Sequence, residues 1–456
     1  MHVNFLATIS MCENLTRSND LLRVVFLLFE YVTLLSMLDI KFIRENKDIV
    51  ALAAKKKKID FNIDELLASD DKRRVLMAAC EEKRAAQNKA NGQITSAKTP
   101  EERNKLIAEM KIVKGGLEQK EEELKVIMKE WQGLMLRVPN VPDMTVPDGN
   151  SDADNVEIKA WGEKPKFAFE PKDHIEIMTK LGMVDIERGS KVHGFRGYYL
   201  TGDGVRLCFA IWNYALEFFG KQGFSPVIPP VIVRPINLFG SGYLPQGEDD
   251  LYKTQDGDYL VGTAEVPLMG LHADEVLTAE QLPIKYLGFS PCFRREAGAH
   301  GKDVRGLIRV NEFYKFEQVI LCEANHEASV KYHEFVNGNT ESFVEILGIP
   351  YRTVVNCGGD LGLGQVKKYD VELWVPKENK YREIGSASYF HDFQTRRLNI
   401  RYRDAAGVLR YAHSLNATAI PTPRILVSLV ENYQQADGTI KVPEVLVKYM
   451  GKEVIG

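Results

Sequence analysis

Chemistry in this chain is concentrated where charged side chains interrupt apolar, strand-like runs. The first such place is Cys292–Gln318, CFRREAGAHGKDVRGLIRVNEFYKFEQ. An apolar run, Tyr286-Leu287-Gly288-Phe289, leads into two adjacent arginines, Arg294 and Arg295, and then Glu296. A charged loop containing Gly298, Gly301 and Gly306 follows, and the chain returns as the alternating stretch Leu307–Glu317. β-Branched and aromatic residues alternating with polar ones on both sides of a glycine-rich turn predict two strands. On a strand, Arg294 and Glu296 would share one face, because side chains repeat every two residues. Burying such groups without partners is costly, so each needs an ion-pair partner or a ligand. Structural ion pairs and a bound ligand both satisfy that requirement.

Other stretches have the same character. Val261-Gly262-Thr263-Ala264-Glu265 sets a hydroxyl and a carboxylate beside a glycine, which can receive an ammonium or hydroxyl group closely. A helix N-cap explains Thr263 equally well. Gly358–Gly364 (GGDLGLG) runs into the strand-like Lys368–Trp374 (KYDVELW). Tyr381–Arg397 (YREIGSASYFHDFQTRR) carries Glu383 and Ser386, whose oxygens suit a hard divalent cation. Leu415–Gln434 (LNATAIPTPRILVSLVENYQ) puts Thr418 before a turn and Arg424 at the head of an apolar helical run. No GxxxxGK[ST] phosphate loop is present.

The elements that must position these residues fall in two regions. From about Asn62 to Val138 the composition is helical, rich in Ala, Glu, Lys, Leu and Arg. Its second half carries Leu106, Met110, Val113, Leu117, Lys120, Leu124, Ile127, Trp131 and Leu134 at steps of four and three, a coiled-coil seam broken only by Lys120. The partner is the preceding segment, Leu66–Leu76 and Cys80–Ile94, with a turn at Lys98-Thr99-Pro100. Pro100 fits a first helical turn, where Thr99 can cap. Two helices of about 35 residues would make a hairpin roughly 50 Å long. Gly115-Gly116 interrupts the seam and predicts a flexible point or a register fault.

Between Lys83 and Lys114 there are eight basic and three acidic residues, whereas the whole arm from Asp64 to Leu136 carries fourteen of each. Basicity is therefore concentrated toward the tip, as a solvated helix surface or a phosphate-contacting surface would have it. Pro139, Pro142, Pro147 and Gly149 then mark a linker. Beyond it, Gly204–Gly220 reads as an amphipathic helix and Phe224–Pro230 as an apolar strand ending in proline.

Length and composition bound the rest. The 456 residues suggest two to three domains with a large core, and 45% hydrophobic with 27% charged residues describes an ordinary globular protein. A net charge of −4 gives no global nucleic-acid signature, so any RNA contact must be a local patch. Six scattered cysteines, with no CxxC pair, fit a reduced cytosol and argue against a zinc-ribbon site. Leu21–Ser36 is apolar, but Arg23 and Glu30 interrupt it and it is short for a membrane span. Acidic Glu13 and Asp20 argue against a secretory leader.

Taken in order, these stretches resemble the motifs of class II aminoacyl-tRNA synthetases, and specifically the seryl-tRNA synthetase family. FRRE, a loop and a strand ending in glutamate is similar to motif 2; Gly204–Pro230 is similar to motif 1, with Pro230 at the motif's proline; and Leu415–Gln434 is similar to motif 3. Thr-Ala-Glu resembles the family's serine-binding loop, GGDLG with KYDVELW its GDLG…KxYDLEVW passage, REIGSAS its REISSCSN, and Ile440–Leu446 its closing IPxxL. The resemblance begins at Met37 (MLDIKFIREN) and runs to the C-terminus.

The resemblance implies an α+β architecture: an antiparallel-sheet catalytic domain preceded by a long antiparallel two-helix coiled-coil arm. The expected division is an extension at 1–36 from a misplaced start, an arm at 37–138, a linker at 139–150 and a catalytic domain at 151–456. It also implies serine–tRNA ligase activity: ATP-dependent activation of L-serine, then transfer to the 3′ end of serine tRNA, and of selenocysteine tRNA where present. Arg294 would contact the α-phosphate and carboxylate, Glu296 the adenine amino group, with Arg295 and Val310 beside the nucleotide. Glu383, Ile384, Gly385 and Ser386 would line the phosphates, Glu383 and Ser386 holding Mg²⁺, and Arg424 would hold the γ-phosphate. Thr263, Ala264, Glu265, Arg294, Glu317 and Thr418 would bind serine, Glu317 taking the α-amino group and Thr418 bringing a methyl into the side-chain pocket. The arm would grip tRNA, the motif 1 region would form a homodimer, and the protein would be cytoplasmic.

This sequence departs from the family pattern at Gly385, Ala387, Tyr389-Phe390 and Asn311, where Ser, Cys, Asn and His are common. The departures at 385–390 keep open a catalytically silent paralogue acting as an RNA-binding or regulatory module. A ligase charging a carrier protein is a third class, but the family's carrier-protein relatives lack the long arm. His391 matches no family role and reads as a packing or surface residue.

Overall fold

The computed structural model describes residues 38–298 and 306–456. The expectation for residues 1–36, and part of the loop that holds Gly301, lie outside the described residues. Two compact units form: residues up to Lys47 with Phe61–Val138, and Asp48–Asp60 with Pro139–Gly456. The stretch 48–60 therefore belongs with the second unit although it lies within 37–138.

In the first unit a short helix α1 (Ile40–Glu45) precedes the hairpin. Helix α2 (Lys47–Lys56) follows α1 in the chain. The hairpin is α3 (Ile63–Ser96) and α4 (Pro100–Met135), of 34 and 36 residues. Asn62 caps α3 by accepting from the backbone N–H groups of Asp64 and Glu65, and Thr99 caps α4 by accepting from Glu102, with Pro100 in its first turn. Every seam position named above is buried or half-buried. Cross-hairpin polar contacts reinforce it, such as the Arg84–Glu121 pair at 2.7 Å and the Arg73 guanidinium 4.4 Å over the Trp131 ring. Helix α4 runs unbroken through Gly115-Gly116, so the glycines leave the ladder intact.

The second unit is built on an eight-stranded sheet. Its strands are β1 (Val156–Trp161), β2 (Ser225–Val227), β3 (Ile284–Phe293), β4 (Glu312–Cys322), β5 (Tyr351–Val355), β6 (Lys367–Val375), β7 (Lys380–His391) and β8 (His413–Thr422). They lie in the order β1-β5-β6-β7-β8-β4-β3-β2. All neighbours are antiparallel except β2, which pairs parallel to β3. Helices α5 (Gly202–Lys221), α6 (Glu265–Gly270), α7 (His326–Ile346) and α8 (Arg424–Asn432) pack on this frame. Phe219 of α5 and Phe343 of α7 stack at 5.7 Å in the main core, which includes Ile320, Leu373, Leu415 and Ile425. Among the described residues no helix is long and apolar enough to cross a membrane.

Three local expectations are corrected. Strand β3 stops at Phe293, so Arg294 and Glu296 do not sit two apart on a strand; Glu296 has φ +54°, a left-handed conformation. The returning strand begins at Glu312 and not at Leu307, because residues 306–311 turn back across the end of β3. Within Phe224–Pro230 only Ser225–Val227 pairs as strand.

Candidate active site

The end of β3 is tied by a side-chain clamp. The Arg294 N–H donates to the Asn311 carbonyl at 2.8 Å, and the Asn311 amide donates to the carbonyls of Arg294 at 2.8 Å and Arg295 at 3.2 Å. The Asn311 Oδ1 lies 3.3 Å from His193 Nε2, so its donor and acceptor groups are all used. Asn311 therefore holds the two roots of the motif 2 loop together, a job the sequence did not reveal. Beyond the clamp, Glu296 pairs with Arg309 at 2.8 Å. That ion pair, with the Ala297 N–H bonded to Asp250 at 2.9 Å, offsets the strain of a left-handed glutamate.

A cleft opens on this arrangement. Arg294, Glu296, Val310, Glu383, Ile384, Gly385, Ser386, Thr418 and Arg424 all line it. The Arg294 Nε donates to the Gly262 carbonyl at 3.3 Å, and its guanidinium lies 5.2 Å from the Phe313 ring centroid. Arg424, the first residue of α8, donates to the carbonyls of Ile308 at 3.0 Å and Glu383 at 2.8 Å, which ties motif 2, β7 and α8 together. Burial lowers the Arg424 pKa, with Glu383 opposing and Arg294 and Arg309 adding to the shift. A guanidinium starts high enough to stay charged. Glu383 Oε1 accepts from the Ser386 hydroxyl at 3.4 Å on β7, and Asp370 of β6 pairs opposite Ser386.

Cations and buried acids meet at one side of the cleft. Gly288 on β3 faces Glu317 on β4, and a Cβ there would lie 2.7 Å from Leu268 and 2.8 Å from Ala264. The missing side chain lets α6 dock against the sheet, which delivers Glu265 at its first residue. Glu317 in turn faces Thr418 across β4 and β8, beside a register shift. Lys315, two residues earlier on β4, pairs with Glu317 and donates to Thr263 Oγ1 at 2.8 Å. Thr263 and Thr418 both reach Glu317 Oε2, at 3.3 and 3.4 Å. Glu265 is held at both oxygens: Tyr243 donates to Oε2 at 2.8 Å and Gln394 to Oε1 at 2.6 Å. Burial first, and the charge of Glu317 second, push the Glu265 carboxyl up to about 7.

Some expected residues stand elsewhere. Arg295 is exposed and does not line the cleft, because its backbone is turned by the N–H bond to the Asp250 carbonyl at 2.9 Å. Ala264 is a core residue against Leu268 and Leu277, without a side chain that could reach a ligand. Thr263, Glu265 and Glu317 are buried and joined to the cleft through Lys315 and Thr418. Thr418 turns its methyl toward Gly385 and its hydroxyl toward Glu317: a Cβ at 385 would lie 2.5 Å from Thr418 Cβ and 2.8 Å from its Cγ2. The methyl thus fills the space of the missing side chain at 385, and both residues line the cleft. His391 does not line the cleft; its Nε2 sits 3.2 Å from His326 Nδ1. Sequence reasoning missed Lys315, Tyr243 and Gln394. Only Lys315 carried a signal, its two-residue spacing from Glu317 on one strand face.

An antiparallel sheet whose cleft gathers arginines on strand ends and on the first residue of a following helix defines the class. A family model described as tRNA synthetase class II core domain (G, H, P, S and T) matches residues 251–433, and one described as Seryl-tRNA synthetase N-terminal domain matches residues 37–142. A serine–tRNA ligase of Deinococcus radiodurans is 46% identical over 422 residues, covering 92% of this chain and 99% of that protein. One from Thermodesulfovibrio yellowstonii is 42% identical, covering 92% and 100%. Among solved structures, seryl-tRNA synthetase from Pyrococcus horikoshii complexed with ATP has a TM-score of 0.83 and 39% identity, covering 92% of this chain and 99% of that one. The chain belongs to the seryl-tRNA synthetase family.

Proposed function

We propose that this chain is a working serine–tRNA ligase. It activates L-serine with ATP to seryl-adenylate and pyrophosphate, then passes the seryl group to the 3′ end of serine tRNA. The observation that carries the reading is the single cleft in which Arg294 and Arg424 adjoin the Lys315–Glu317–Thr263–Thr418 network. An anionic nucleotide and an ammonium-bearing amino acid have complementary surfaces there, side by side.

In the first step a serine carboxylate oxygen attacks the α-phosphorus and pyrophosphate leaves. Arg294 stabilises charge developing at the α-phosphate, and Arg424 holds the far phosphates. These groups are fixed by backbone carbonyls before substrate arrives, so little reorganisation is needed. Glu296 and Val310 take the adenine end, and Glu317 the α-ammonium. In the second step the terminal ribose hydroxyl attacks the acyl carbon and AMP leaves.

Glu383 and Ser386 fit Mg²⁺. Their oxygens lie together on β7 and both residues line the cleft, the oxygen donors a hard cation prefers. Among the described residues no group of three or more His, Cys, Asp or Glu could hold a metal, which suits an ion shared with substrate phosphates. Such an ion would supply neutralisation of phosphate charge. Phe209 and Leu216, exposed on α5, and Ile228 support a homodimer through the motif 1 region. The hairpin is the tRNA-binding module, and the scattered free cysteines support a cytoplasmic location. The silent-module reading loses its main support, since Thr418 accounts for Gly385 and Asn311 has a structural task.

Serine-dependent ATP–pyrophosphate exchange tests the proposal; absence of exchange in the purified full chain would refute it. A second expectation follows from Glu265. Its folded pKa of about 7 exceeds the unfolded value, so the empty protein loses stability as pH rises from the ordinary carboxylate range through about 7. An ammonium entering beside Glu317 draws the Glu265 pKa down, so serine binding near neutrality releases a proton. Serine affinity is expected to fall as pH drops from about 8 to about 6. Calorimetry in buffers of different ionisation enthalpy measures the released proton directly.

A further inference from the structure

We propose that Lys315 is a specificity-determining residue, whose ammonium donates a hydrogen bond to the side-chain hydroxyl of the bound amino acid. The inference rests on the serine-activating reading above and names the group that chooses serine. Lys315 is buried on β4, yet it lines the cleft, whereas Thr263, Glu265 and Glu317 do not. With Thr418 it is the polar face that an amino acid meets on entering from the nucleotide side.

Hydrogen-bond capacity carries the argument. An ammonium has three N–H donors and no acceptor. One is taken by Glu317 and one by Thr263 Oγ1 at 2.8 Å. The third has only Thr418 Oγ1 at 3.4 Å, long for an N–H···O bond, and that hydroxyl is itself within reach of Glu317. A donor in a buried site is thus left poorly satisfied until an oxygen arrives. Glu265 is bonded to Tyr243 and Gln394 and does not line the cleft, whereas Lys315 does. A β-hydroxyl supplies the missing acceptor. A methyl leaves the N–H desolvated and unpaired, and a thiol accepts weakly.

The test compares amino acids within each protein. In Lys315→Met, loss of the counterion to Glu317 and any damage to the fold weaken serine and alanine alike, so they cancel in the ratio of kcat/KM values for exchange. The serine-to-alanine ratio is expected to fall by about 100-fold or more, and Lys315→Gln, which keeps a donor, should retain part of it. An independent measurement needs no variant. Doubly protonated 2,3-diaminopropionate presents an ammonium where serine has a hydroxyl; a lysine reader repels it, whereas a carboxylate reader would welcome it. The wild-type enzyme is expected to use it at least about 100-fold less well than serine. A serine-to-alanine ratio unchanged in Lys315→Met, or ready use of 2,3-diaminopropionate at a pH low enough to keep both its amines protonated, overturns the assignment. Absence of serine-dependent exchange in the wild type would instead refute the proposed function.

Discussion

Arg294→Ala is expected to lower adenylate formation by about 100-fold or more, the scale of losing a preorganised donor to developing charge. The side chain is placed by the Gly262 carbonyl and the Phe313 ring, and its backbone is clamped by Asn311, so the guanidinium is held before ATP arrives. No neighbour can take over. Arg424 is committed to the carbonyls of Ile308 and Glu383, and Arg309 to Glu296. Arg294→Lys should recover little, because a single ammonium cannot reproduce the planar fork. The measurement is pyrophosphate exchange at saturating serine and ATP, with thermal unfolding to confirm the fold. Near-normal exchange in Arg294→Ala would remove this residue from the phosphate site.

The second large effect separates the two chemical steps. Replacing Lys83–Lys114 by a short turn shortens α3 and α4 while leaving Leu117, Trp131, Leu134 and Met135 buried at the base of the hairpin. Serine activation should persist, whereas charging of serine tRNA should fall below detection. The removed segment holds eight basic against three acidic residues, so it supplies positive charge without needing base contacts. In the intact protein, tRNA affinity should fall steeply with rising salt as counterion release is suppressed, and the shortened protein should lose most of that slope. Equal charging by both proteins would rule out the hairpin tip as the RNA-binding surface.

Much of this architecture was legible because periodicity and capping are local. The seam from Leu106 to Leu134, the Thr99–Pro100 helix start and the head of α8 at Arg424 each follow from residues close in sequence. That Arg294, Arg424, Glu383 and Ser386 meet in one cleft was legible through their resemblance to known motifs. What escaped was set by distant partners. Arg294–Glu296 looked like strand, but Asn311 and Asp250, one of them far away in sequence, turn the backbone there. Lys315 looked like one more strand lysine until Thr263 and Glu317 closed around it. The direction of the Thr418 methyl depended on a glycine more than thirty residues earlier.

That last contact bears on how the sequence can change. Positions 385 and 418 interlock at the Cβ level, so trimming Thr418 to Ser removes only Cγ2 and leaves its Cβ within 2.5 Å of any new side chain at 385. Strand β7 must shift against β8 before a larger residue fits. A side chain at 385 therefore strains the sheet whether 418 carries Thr or Ser, while Thr418→Ser beside the existing glycine only removes a methyl. A chimera that imports a relative's 383–390 stretch with a side chain at 385 is therefore expected to be destabilised through this β7–β8 contact.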